Sequence, residues 1–201
     1  MQMEFLVELS FDFKKSLEAS AYLLELAGGS MEYVRLLDLL YMAERELLAE
    51  KALPLTGDLA LAMSHGPVLS TISDMILDKN WQAPDWHKFI KRSGYSVKLI
   101  TDPGFEHLSA CIIDKLREVH FRHYEMNLGE VIDLAQTFSE WKKNYPGAGS
   151  APIPLEAILE GMRAEEGTLE TIREEEAIRR QMNQVIVSAR EKLAERSEVA
   201  S

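Results

Sequence analysis

One cysteine, Cys111, stands among 201 residues, so no internal disulfide can form and a reducing cytoplasm is the expected setting. Long apolar runs are missing too: none approaches the roughly 18 residues that a membrane-spanning helix requires. The first residues, Met1-Gln2-Met3-Glu4, carry no basic stretch and no small-residue cleavage site, which argues against a signal peptide. Basic residues are outnumbered, 22 Lys and Arg against 33 Asp and Glu, for a net charge of −11. Such a chain repels phosphate backbones unless it segregates a basic face, so nucleic acid is disfavoured and a basic protein partner fits better. What is present in quantity is apolar: 46% of the residues, enough for a core without metal or disulfide. The length suits one domain with an appendage.

Over 12–27, Phe13, Leu17, Ala21, Leu24 and Ala27 recur at spacings of three and four, which predicts a helix stopped by Gly28-Gly29. Ser30 is placed to cap a second helix, whose apolar positions (Val34, Leu36, Leu37, Leu40, Tyr41, Leu47, Leu48) cover more than one stripe. This helix is therefore central and should end near Lys51, before Pro54. Thr56-Gly57-Asp58 predicts a turn and 59–63 a short extended piece. Pro67 sits where a first helical residue belongs, with a helix continuing through Val68, Ile72, Met75 and Ile76. A short helix is expected over 84–92 and a strand over 95–101, able to pair with the piece near Leu59. Ser109 and Asn127 cap two further helices, the second running through Trp141. Residues 144–154, with Pro146-Gly147-Ala148-Gly149-Ser150 at their heart, form the clearest loop. A helical turn near 155–161 follows, then a long amphipathic pattern from Thr168 carrying Leu169, Ile172, Ile178, Met182, Val185, Ala189 and Leu193. Acids lead in this helix and arginines with Lys192 follow, the order a helix dipole favours. The expected fold class is mainly α: a compact helical domain with a small two-stranded β element and a long C-terminal amphipathic helix.

Read together, 36–45 (Leu-Leu-Asp-Leu-Leu-Tyr-Met-Ala-Glu-Arg), Leu55-Thr56-Gly57-Asp58 and His65-Gly66-Pro67-Val68 give a distinctive order of blocks. In these the chain resembles the Panacea domain family, which includes the SocA-like antitoxins and sequences labelled phage-associated. Phe138-Ser139-Glu140-Trp141-Lys142-Lys143 resembles the family's closing segment, although Gln136 stands where many members carry histidine and Ser139 where proline is common. The resemblance implies an antitoxin that binds and neutralises a cognate toxin by protein–protein contact, with no cofactor, no metal and no catalysis. It also admits an adaptor that hands the toxin to a cytosolic protease. On this basis 1–145 is the Panacea-like domain, 146–154 a linker and 155–201 a C-terminal helical extension.

Each motif also has a plainer account. In Thr56-Gly57-Asp58 the glycine permits a turn while the flanking side chains bond nearby backbone. Gly66-Pro67 lacks the second glycine and the lysine of a phosphate-binding loop, so it marks a helix start. Glu44 and Arg45, after Tyr41, are placed for a polar clamp to Asp58 or to the Thr56 turn. Of His65, His87, His107, His120 and His123, only His120 and His123 (i, i+3) share a face as a metal site requires, and no third ligand is fixed by spacing. They are expected in solvent or near a helix cap. Cys111 lies four residues after His107 but beside Ile112 and Ile113, which makes it a small buried filler. Lys88, Lys91, Arg92 and Lys98 gather near Trp81, Trp86 and Tyr95, an interleaving that serves nucleic acid or the rim of a protein interface. The C-terminal helix docks on its own core, pairs with a copy in a homodimer, or enters a partner's groove. Tyr41, Arg45, Trp81, Trp86 and Met182 are the candidate partner-binding anchors. A small metal-dependent hydrolase built on His107, Cys111, His120 or His123 and a transcription regulator are the competing functions.

Overall fold

Asp12 begins the first helix: its Oδ1 accepts from the Lys15 amide at 3.0 Å, satisfying one of the donors that a helix start leaves free. The computed structural model describes residues 9–199, with side chains described through 189. The readings made on Met1–Glu4, Lys192 and Leu193 lie outside the described residues and side chains. Helix α1 (Phe13–Leu26) stops at Gly28 and Gly29, both at positive φ (79° and 96°), where the Gly29 amide donates back to Leu24 O at 2.7 Å. Strand β1 (Ser30–Glu32) leads into α2 (Tyr33–Lys51), in which every residue from Leu36 to Leu48 is buried. Ala52, left-handed at φ 52°, ends α2 with its amide on the Leu48 carbonyl. The expected central helix is therefore present, with its neighbours packed all round it.

Two short strands, β2 (Ala60–Met63) and β3 (Gly66–Leu69), precede α3 (Ser70–Ile76) and the single turn α4 (Ala83–Trp86). Strands β4 (Ile90–Ser93) and β5 (Ser96–Leu99) form a hairpin. Helices α5 (Ala110–Arg122), α6 (Leu128–Ala135) and α7 (Ser139–Asn144) follow, then β6 (Ala151–Pro152), α8 (Leu155–Met162) and α9 (Thr168–Val199). Ser109 caps α5, and Asn127 with Glu130 forms a reciprocal capping box at α6.

The strands overturn the expected fold class. They form two three-stranded antiparallel sheets, ordered β1-β5-β4 and β3-β2-β6, so the fold is mixed rather than mainly α with one two-stranded ribbon. Both expected strands exist, but they do not pair with each other: 60–63 joins β3 and β6, whereas 96–99 joins β1 and β4. Ser30 is not a helix cap; it opposes Lys98 in a ladder. Residues 90–93 extend rather than coil, since Ile90 enters the core opposite Leu99 while Lys91 and Arg92 stay wet. Pro67 lies within β3, opposite Ala62, and α3 starts three residues later. A proline fits there because β3 is an edge strand, where a missing N–H removes no ladder bond. Residues 127–141 are two helices, broken at 136–138.

One core cluster joins α1, α2, both sheets, α5 and α6, and includes Ile153 from within the expected linker and Ile158 from beyond it. A smaller cluster of Leu48, Leu155, Leu159 and Ile172 seats α8 and the first turns of α9 on the end of α2. Among the described residues, no helix is long and apolar enough to cross a membrane.

Candidate functional site

The matched motifs converge along α2. Glu44 Oε2 accepts from both the amide and the hydroxyl of Thr56, each at 2.6 Å. The same hydroxyl accepts from the Asp58 amide at 3.1 Å. Asp58 in turn caps α3, its two oxygens accepting from the Thr71 and Ile72 amides at 3.0 and 2.9 Å. Gly57 between them has φ 64°, and a Cβ there would collide with the Ser10 carbonyl. This position needs glycine both for its left-handed backbone and for the close approach. Burial pushes the carboxyls of Glu44 and Asp58 upward, against the hydrogen bonds from Thr56 and from the start of α3. The arrangement is a strut from α2 through the turn to α3.

Arg45, one residue on, takes a different partner from the expected Asp58. Its Nε donates to Glu140 Oε1 at 2.7 Å, and the Tyr41 hydroxyl donates to the same oxygen at 3.2 Å. The guanidinium carbon lies 3.9 Å from the Phe138 ring centroid, a cation–π contact, and that ring stacks on Tyr41. Glu140 is fully buried, and its Oε2 occupies space that a Cβ at Gly161 would claim. Burial first, and then the Glu140 carboxylate, hold the Tyr41 phenol well above its usual value. This second strut ties α7 and α8 to α2.

Gly66-Pro67-Val68 forms the returning strand of the β2–β3 hairpin. Gly66 has φ 125°, and a Cβ on it would press to 3.2 Å from the Ala135 Cβ. The hairpin turn is pinned from the break between α6 and α7: Gln136 Nε2 donates to Ser64 O at 2.9 Å and Trp141 Nε1 to Met63 O at 2.8 Å. Gln136 thus has a hydrogen-bonding role of its own. Beneath the hairpin lies a cavity of about 130 Å³, with Val34, Leu37, Val68 and Leu77 among its walls. Asp38 also lines it, 2% exposed, with Oδ2 buried and unpartnered. Burial raises this carboxyl to about 8, with only a weaker opposing pull from Arg35.

The candidate partner-binding residues divide by exposure. Tyr41 and Trp86 are fully enclosed and Arg45 nearly so, while Trp81 (83%) and Met182 (60%) stand in solvent. Along α9, Ile172 is buried and Glu176 bonds Ser10 Oγ, but Ile178, Met182, Val185, Ile186 and Val187 are all uncovered. Among the described side chains, docking on the chain's own core therefore holds only the first turns of this helix.

Several expectations need correction. Cys111 is exposed, because the core face of α5 runs through Ile112, Leu116 and Val119 instead. His120 and His123 lie at the C-terminal end of α5, His123 as its cap, as one of the two expectations had it, but they are buried rather than in solvent: His123 Nδ1 bonds the Val119 carbonyl, and both ring nitrogens of His120 lack hydrogen-bond partners. His107 does not pair with Cys111; its ring and its amide bond Glu18. Among the described residues, no three His, Cys, Asp or Glu side chains are gathered to hold a metal ion. Lys91 and Lys98 face each other across the β4–β5 hairpin near exposed Tyr95, and Lys88 is paired with Asp85. Asp38 and Glu140 are the buried acids of the candidate site to which the motif reading gave no role; an acid set in an otherwise apolar helix run is the signal Asp38 offered.

Struts of buried carboxylates holding a helix–hairpin frame define the class of scaffold. Against known families, residues 36–142, just over half of the chain, match the antitoxin SocA-like, Panacea domain. The chain belongs to that family. No curated protein and no solved structure matches it.

Proposed function

We propose that this protein is an antitoxin: it binds a cognate toxin and holds it inactive by protein–protein contact, without catalysing a reaction. The match over 36–142 to the SocA-like antitoxin domain carries this reading. Two physical features support it. The net charge of −11 favours a basic partner, steering encounter and selecting against acidic surfaces. Ile178, Met182, Val185 and Ile186, spaced three and four apart on α9, form an uncovered apolar stripe, and contiguous exposed apolar surface marks contact sites.

Coexpression with the product of the adjacent reading frame tests the proposal. The neighbour alone should arrest growth, the pair should grow, and the two chains should purify together. Replacing Ile178, Met182 and Val185 with glutamate should weaken co-purification while leaving the melting temperature unchanged. A harmless neighbour, or a pair that separates in mild buffer, refutes the reading. Repeating the growth assay in a host lacking its cytosolic proteases separates direct cover from proteolytic delivery: protection that persists there is direct.

A further inference from the structure

The carboxyl of Asp38 is unlike the other acids of the site. Glu44, Asp58 and Glu140 each accept hydrogen bonds from backbone or side-chain donors, whereas no donor reaches Asp38 Oδ2. An acid buried without a partner is costly in a dry interior unless something compensates it. The cation that acts on it most, Arg35, is already committed, donating to the carbonyls of Met126 and His123 at 2.6 and 2.7 Å. The acid lines a cavity with walls that include Val34, Leu37, Val68 and Leu77, and with exposed Met63 and His65 beside it. A carboxyl set in an apolar sleeve is complementary to a cation on an aliphatic stem.

Resting on the antitoxin reading, we propose that this cavity receives one lysine side chain of the toxin, its methylenes against the apolar walls and its ammonium on Asp38. Size and charge select this occupant. The cavity is small, about 130 Å³, and its walls are mostly apolar, which suits a slender aliphatic stem that ends in a single charge. The chain's net charge of −11 draws a basic partner to this face as to the rest of the surface. On docking, the acid gives up its proton and pairs with the incoming ammonium, so the buried carboxyl gains the partner it lacks.

The test uses n-butylammonium as a stand-in for the lysine stem, with 1-butanol as the uncharged control of similar shape. Titrated into the full ¹⁵N-labelled chain, n-butylammonium should move the amide resonances of Val34, Leu37, Asp38, Val68 and Leu77 in a saturable manner. Affinity should fall by about tenfold or more, both for 1-butanol and in Asp38→Asn. The wild-type titration needs no variant to fold. In the coexpression assay, Asp38→Asn, checked as folded by circular dichroism, should retain less toxin than the wild type. Absence of saturable shifts, equal binding of 1-butanol, or undiminished toxin capture by folded Asp38→Asn overturns the lysine contact while leaving the antitoxin reading intact. Probe binding by a wild-type chain that captures no toxin removes the toxin as the source of the lysine, together with that reading.

Discussion

Replacing Asp38 by asparagine should make the protein less sensitive to alkali, in a way that follows directly from burial. An unfolded aspartate releases its proton near pH 4, whereas in the folded chain this one holds it to about 8. Between those values the native state binds more protons than the unfolded state, so stability falls as pH rises. The contribution of this group is fully present below about pH 4 and gone above about pH 8. Inside the window stability follows the proton difference, so from pH 5 to 7 the wild type should lose on the order of 3 kcal/mol relative to Asp38→Asn. The amide that replaces the carboxyl does not titrate, and the upward-shifted Glu44 and Asp58 act in both proteins and cancel in the difference. Urea unfolding at several pH values, followed by the fluorescence of fully buried Trp86, measures the quantity. Stability profiles of the two proteins that run parallel from pH 5 to 7 would refute the account of Asp38 as a solvent-starved acid.

Gly57→Ala should cost roughly 3 kcal/mol or more in thermal unfolding, since it forces a left-handed alanine into the Ser10 carbonyl; a loss below ~0.5 kcal/mol would contradict the packing described. Glu140→Ala strands Arg45 and Tyr41 in the interior and should destabilise by about 3–5 kcal/mol in urea titration, as for other broken buried pairs. Cys111 should react fully with a thiol reagent in the native protein, because it faces solvent; labelling that waits for denaturant would place it inside.

The helices were legible because their signals are local. Asp12, Gly28-Gly29, Ser109 and Asn127 mark ends within a turn of the chain they govern, and the breadth of the leucine pattern in 34–48 announced a helix wrapped by others. Strand partners were not legible, since Ser30 meets Lys98 and Leu61 meets Pro152 across long stretches of chain that no local pattern encodes. The same division runs through the site. Glu44 finds Thr56 twelve residues away, in the next motif block, so the clamp could be anticipated. Arg45 passes over nearby Asp58, whose oxygens are spent on α3, and reaches Glu140 ninety-five residues on. Only the tertiary arrangement reveals that choice. Asp38 was hidden for the opposite reason: its meaning lies in the cavity and in the donor it lacks.

The third strand of the β3-β2-β6 sheet comes from a stretch whose glycines and prolines look like mere spacer, and it closes a circuit. Ile153 and Ile158 follow it into the interior, and α1 enters from the other end of the chain to cover the central helix. The family-matched segment of 36–142 is thus a keystone without its arch: excised at those limits, it would bare the leucines that α1, Ile153 and Ile158 now shelter. Recognition of the family and autonomy of folding have different borders in this chain.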